Sequence, residues 1–175
     1  MIDPHINRSG RNWHAVFCKP RQDSVAESNL LNQGFEIFRP KTRVARTRRG
    51  QRRIALESMF PRYLFVRLSQ GGQDWGPIRS TRGAVGLVRL GIETPIVPDT
   101  VIESLRRRCN GEGVINLAGA IEFKPDELVD IIDGPLNGYR ALFKARTSDE
   151  RVVVLLQLLQ HERRIELPDT SIRRA

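Results

Sequence analysis

The chain has 175 residues, enough for one ordinary domain or two small ones, and 29 Lys and Arg against 20 Asp and Glu give it a formal charge of +9. No apolar run approaches the roughly 20 residues of a membrane helix, and the polar first dozen residues lack the apolar centre of a secretory signal. Cys18 and Cys109 form no Cys-x-x-Cys pair and His5, His14 and His161 are scattered, so no metal, cofactor or disulfide framework is expected; a cytoplasmic protein with polyanionic partners is.

The segment "WHAVFC", Trp13 to Cys18, alternates like a strand. In the stretch that follows, Ser24 and Glu27 have capping-box spacing, Ala26, Leu30 and Leu31 form an apolar stripe, and Gly34 suits a left-handed stop, which predicts a helix. "FEIFRP" returns to period two and closes a strand, helix, strand unit. "TRVARTRRGQRRIALE" predicts a hairpin turning at Arg49-Gly50, with eight Lys or Arg among the fifteen residues from Arg39 to Arg53.

In "SMFPRYLFVRL", Leu64, Val66 and Leu68 share one strand face while Tyr63, Phe65 and Arg67 share the other. The aromatic face is core if helices cover both sides of the sheet, and a docking patch or base-stacking platform if they cover one. After "RSTRGAVGLVRLG", Thr100 and Glu103 repeat the capping-box spacing, and Val101, Ile102 and Leu105 begin a helix ending near Cys109. A glycine-rich stretch from Asn110 then marks a boundary. Beyond Glu127, "LVDII", "YRALFKA", "RVVVLLQLL" and "RIEL" read as short strands of a small barrel.

No nucleophile, base and acid stand in a recognisable arrangement, and no Walker-type loop is present, so a non-enzymatic protein is expected. The basic hairpin tip is either a solvated loop or a phosphate-binding surface. Arg79 and Arg82 are either plain surface residues or nucleic-acid contacts, since Thr81 and Arg82 stand beside Gly83, where backbone can approach a base or phosphate closely.

At "FPRYLFV", "STRGAVGLVRLG", "PIVP", "DGPLNGYRALF" and "IELPDTSI", in that order, the chain resembles the NusG/RfaH family of bacterial transcription elongation and antitermination factors. The resemblance implies a flexible 1–12, an α/β polymerase-binding domain of NGN type over 13–110, a linker over 111–124 and an all-β KOW barrel over 125–175. It further implies that Tyr63 and Phe65 dock on the β′ clamp helices of RNA polymerase. The barrel would recruit ribosomal protein S10 or another factor, and the protein would act as a monomer away from any membrane.

"LLQLLQHERR" in the barrel segment is closer to the specialised RfaH-like branch. There Lys19, Asn29, Asn32, Gln33, Thr81 and Arg82 fall where such factors read non-template DNA, with Arg48 and Arg49 of the hairpin as further nucleic-acid contacts. Asp74-Trp75-Gly76-Pro77 departs from the family's contact to the polymerase β subunit. Glu57 and Arg151 match an interdomain pair that, in RfaH-like factors, holds the C-terminal domain as a helical hairpin over the polymerase site.

The apolar run suits either fold, since Val152, Leu155, Leu156 and Leu159 share a helical face and Val152, Val154, Leu156 and Leu158 a strand face. Pro135 inside a helix would cost about 3 kcal/mol, and Gly134 and Gly138 about 1 kcal/mol each. The barrel is therefore the expectation and the helical hairpin its alternative. The alternative function is a KOW-containing RNA-binding or ribosome-associated protein without polymerase contact.

Overall fold

A computed structural model describes residues 10–69, 75–116 and 147–165. In chain order the elements are β1 (Arg11–Cys18), α1 (Asp23–Asn32), β2 (Glu36–Phe38), β3 (Lys41–Arg48), β4 (Gln51–Ser58), β5 (Tyr63–Ser69), α2 (Gly76–Ser80), β6 (Ala84–Leu87), α3 (Asp99–Arg108), β7 (Val114–Ile115) and α4 (Ser148–Ile165). None of these helices is long and apolar enough to cross a membrane.

The first sheet has the order β2-β5-β1-β6. β5 lies antiparallel to β1 from Arg11↔Ser69 to Phe17↔Tyr63, and also antiparallel to β2, so it separates the two strands of the strand, helix, strand unit. The second sheet is β4-β3-β7. Its hairpin turns where expected: Arg49 at φ 51 and Gly50 at φ 76 supply the paired left-handed residues of a type I′ turn. β7 joins β3 in parallel and so ties residues of the glycine-rich segment to this sheet.

Both faces of the first sheet are buried. Leu64, Val66 and Leu68 pack with Val16, Ala26, Leu30 and Ile78 beneath α1 and α2. Phe65 packs with Trp13, Phe60, Ile102 and Leu105 beneath α3, and with Leu155 and Leu159 of α4. The alternative in which helices cover both faces therefore holds for Phe65.

Neither expected capping box forms. α1 starts after Gln22 and α3 after Pro98, neither with a side-chain cap, because each helix begins two residues earlier and carries Ser24 or Thr100 inside its first turn. Gly34, at φ 84, does supply the left-handed stop of α1. The box that forms is Thr147 with Glu150: the Thr147 N–H donates to Glu150 Oε2 at 3.2 Å, and the Glu150 N–H donates to Thr147 Oγ1 at 3.2 Å.

That cap opens α4, which corrects the barrel expectation over these residues: "RVVVLLQLL" is helix, not strand. As a helix it puts Arg151, Leu155 and Leu159 on one buried stripe with Val153 exposed, whereas a strand would have put Val153 on the same face as those three. Its tertiary seat overrides the weak β preference of Val152, Val153 and Val154. "RIEL" begins inside α4 at Arg164 and Ile165, and the remaining expected barrel strands, with Pro135 and its neighbouring glycines, lie outside the described residues.

His14 on β1 is buried, and its Nδ1 lies 3.0 Å from Pro95 O, so Nδ1 carries the proton and donates to that carbonyl. Its Nε2 is buried and has no hydrogen-bond partner among the described residues. Desolvation outweighs the Pro95 bond and lowers the His14 pKa below its ordinary value of 6.5. The unfolded chain therefore takes up this proton first, so stability should fall as pH drops below about 6.5 toward the folded-state value. Urea unfolding at pH 7.5 and 5.5 should show a smaller loss for His14→Gln than for the parent chain.

Candidate nucleic-acid and partner interface

Tyr63 and Phe65, expected at a docking surface, differ in exposure. Phe65 is fully buried, edge-on to Phe60 at 5.7 Å and stacked on Phe38 at 6.2 Å. Tyr63 is half-buried at the strand's start and tilts against Phe17 at 5.2 Å. Among the described residues, part of the cover over this side comes from α4.

Arg151 is the buried charge of α4, and its Nε donates to Met59 O at 2.8 Å, two residues from Glu57 in sequence. Burial pulls its pKa down. Glu57 instead accepts two hydrogen bonds from Arg46, from Nε and from Nη2, both at 2.8 Å. Those bonds hold the Glu57 carboxyl below its ordinary pKa and raise that of Arg46. Of the two residues expected to pair with each other, Glu57 thus bonds Arg46 and Arg151 bonds a backbone carbonyl.

Lys19, Asn29, Asn32, Gln33, Thr81 and Arg82 come from β1's end, α1 and the turn before β6, and one close approach brings these segments together. The Lys19 N–H donates to Gly83 O at 2.8 Å, and the Ala26 N would lie 2.6 Å from a Cβ on Gly83. Gly83, at φ +91, meets the need for both space and backbone freedom. Lys19, Asn32, Gln33 and Arg82 are exposed on the resulting surface.

Thr81 and Asn29 are used differently. The Thr81 hydroxyl donates to Pro77 O at 2.9 Å and accepts from Gln33 Nε2 at 2.9 Å, with the residue 5% exposed. It positions Gln33 and presents no open hydroxyl. Asn29 Nδ2 donates back to Val25 O at 2.7 Å. Arg48 and Arg49 are exposed at the hairpin tip, on the second sheet, and so form a separate basic surface.

The sequence reading missed Arg21, and it missed the anchoring role of Arg62, which it placed only beside the aromatic patch. Arg21 is exposed at φ 59 beside Lys19. Arg62, at φ 69, donates its N–H to Asp23 Oδ2 and its Nε to Cys18 O, both at 3.1 Å, and lays its guanidinium 4.2 Å from the Phe17 ring centre. The signal was the basic pair around Pro20 and the Arg after Pro61. Burial first, then Asp23, pushes the Cys18 thiol up to about 12, which leaves it a packed, unreactive group. Among the described residues no group of three or more His, Cys, Asp or Glu could hold a metal ion.

The family model described as NusG, Transcription termination factor nusG, matches residues 11–106. The chain is similar to the transcription termination/antitermination protein NusG of Bacillus subtilis, 24% identical over 93% of this chain and 97% of the relative. It is similar to the protein of that name from Thermus thermophilus, 23% identical over 93% of this chain and 98% of the relative. The Streptomyces coelicolor protein of the same name is 21% identical over 93% of this chain and 62% of its own length.

Because a Cβ at Gly83 would meet backbone that cannot swing aside, Gly83→Ala should destabilise the chain by more than about 1 kcal/mol. The measurement is urea unfolding against the parent. The substitution should also loosen the Lys19 and Arg82 surface, seen as faster amide exchange at Lys19.

Proposed function

This chain belongs to the NusG family, and we propose that it is a transcription elongation and antitermination factor that binds RNA polymerase through the aromatic side of its first sheet. Tyr63 and Phe65 lie at the centre of that surface, and the β′ clamp helices are the proposed partner. Bound there, the factor reduces pausing and termination by favouring the closed polymerase clamp over the open one.

The observation that carries this reading is the cover over Phe65. Leu155 and Leu159 of α4 complete the core on that side, yet α4 comes from far along the chain, after the residues 117–146. Burying each leucine contributes roughly 1.5–3 kcal/mol, against the conformational entropy of ordering the helix. A cover with so narrow a margin can be exchanged for a partner's apolar helices.

In this reading α4 masks the docking surface, and release of α4 exposes it. The arrangement agrees with the helical alternative for the C-terminal part. Released, that part is free to engage ribosomal protein S10 or another factor. The exposed Lys19, Asn32, Gln33 and Arg82 surface supports contact with non-template DNA, and Arg48 and Arg49 support a separate phosphate contact.

Two variants test the docking surface by binding to purified core RNA polymerase. Tyr63→Ala should weaken binding at least tenfold, since it truncates a half-buried aromatic at the centre of the surface while sparing Phe65. Unchanged affinity would remove the docking claim. Leu155→Asp should do the reverse: deleting a buried leucine costs the covered form about 2–5 kcal/mol, so polymerase affinity should rise tenfold or more, and unchanged affinity would mean that α4 masks nothing.

A further inference from the structure

Pairing across three strands sets Glu36 opposite Arg67 and Arg67 opposite Trp13. Paired residues of antiparallel neighbours share a face, so this row projects on the same side as Phe65. Arg11, two residues before Trp13, joins that face. Arg106, in the last turn of α3, lays its guanidinium 4.9 Å from the Trp13 ring centre and 5.3 Å from that of Phe38. Arg67 reaches the same indole at 5.8 Å.

Three guanidiniums thus converge on one carboxylate. Arg11, Arg67 and Arg106 approach Glu36 at 3.5, 3.8 and 3.5 Å. Elsewhere in the molecule Arg39 meets Glu27 at 2.7 Å and Arg46 meets Glu57 at 2.8 Å, the usual length for a charge-assisted bond. Glu36 is therefore shared loosely, and the cluster keeps a formal surplus of two positive charges.

Donors also exceed acceptors. Each guanidinium carries five N–H groups, against about four acceptor positions on a carboxylate. The Arg67 Nε is buried and lacks a hydrogen-bond partner among the described residues. The side chains of Arg11 and Arg106 remain 40% and 45% exposed, so a ligand can reach the cluster from solvent. Stacking on Trp13 and Phe38 holds the Arg106 fork in place before any ligand arrives.

We propose that Arg11, Arg67 and Arg106 form an anion site for a phosphodiester of a nucleic-acid backbone. It lies apart from the Lys19 and Arg82 surface: Arg11 and Cys18 stand at opposite ends of β1, about 23 Å apart at roughly 3.3 Å per residue. One phosphate cannot serve both, so the sheet grips two separate stretches of backbone. Glu36 is the site's occupant in the absence of a ligand, since it orients the arginines and yields to a stronger, multidentate anion. The proposal does not depend on polymerase docking, which engages other residues.

The test uses the full chain and a 20-base-pair DNA duplex, with affinity measured across a salt series. Arg106→Ala should weaken binding several-fold and reduce the slope of log K against log salt by about 1. Glu36→Gln should tighten binding more than Glu103→Gln, which removes the same charge from an exposed position on α3. An unchanged slope in a folded Arg106→Ala chain overturns the site, as does Glu36→Gln binding no tighter than Glu103→Gln. The Arg67 and Arg106 Nε–H resonances should shift on adding the duplex; a shift with inorganic phosphate alone, or with poly-glutamate but not DNA, overturns the nucleic-acid assignment.

Discussion

The ladder between β1 and β5 governs the rest of the molecule, because β5 lies between two neighbours and has a packed layer on either face. Leu64, Val66 and Leu68 close one core and Phe65 the other, so the register from Arg11↔Ser69 to Phe17↔Tyr63 has no freedom to slip. A one-residue shift would drive Arg67 into the aliphatic layer under α1 and turn Val66 toward the aromatic one. The same register delivers Tyr63, Arg62 and Lys19 to one end of the sheet, and Arg67, Arg11 and Glu36 to the other. Two of the proposed binding surfaces are therefore the two ends of a single ladder.

Charge follows from that geometry. The first sheet is packed with apolar layers on both faces, so the surplus of basic residues collects mostly at strand ends, at the last turn of α3 and on the hairpin. Arg106, Arg107 and Arg108 sit at the C-terminus of α3, where the helix dipole favours cations. On the hairpin Arg46 stands directly opposite Arg53, an unfavourable pairing of like charges, and the Arg46–Glu57 bond offsets part of it. Such a ribbon gains from a phosphate near its tip because the anion relieves repulsion already present.

The α4 seat shows how an ion pair and a hydrogen bond share the duty of closing a surface. Glu57 serves the hairpin, whereas Arg151 serves the core through Met59 O. A guanidinium is costly to bury, and the bond to the Met59 carbonyl offsets part of that cost while it tethers the helix. Leu155 and Leu159, with Val152 and Leu156 packed beside them, add a non-directional attraction that a competing apolar surface can replace.

Much of this was legible in the residues themselves, for identifiable reasons. Period-two alternation marked β1 and β5, because a strand's side chains must alternate. Arg49-Gly50 marked the hairpin, because a type I′ turn needs two left-handed residues, and Gly34 marked the end of α1. The basic surplus, and the order of motifs shared with NusG-like factors, followed from composition and sequence alone.

Tertiary structure decided what local pattern left open. "VVVLLQLL" satisfies helix and strand periods alike, and the aromatic floor beneath Leu155 and Leu159 selected the helix, with Thr147 and Glu150 capping it. Exposure of Thr81 could not be read from its neighbours, since Pro77 and Gln33 reach its hydroxyl only once α1 and the β6 turn have packed. The Glu36 cluster was equally hidden, because Arg11, Glu36, Arg67 and Arg106 are each 25 residues or more apart in sequence. Sequence thus determined which segments alternate, turn and carry charge; only packing determined which of those groups meet, because register and helix placement are set by contacts between residues distant along the chain.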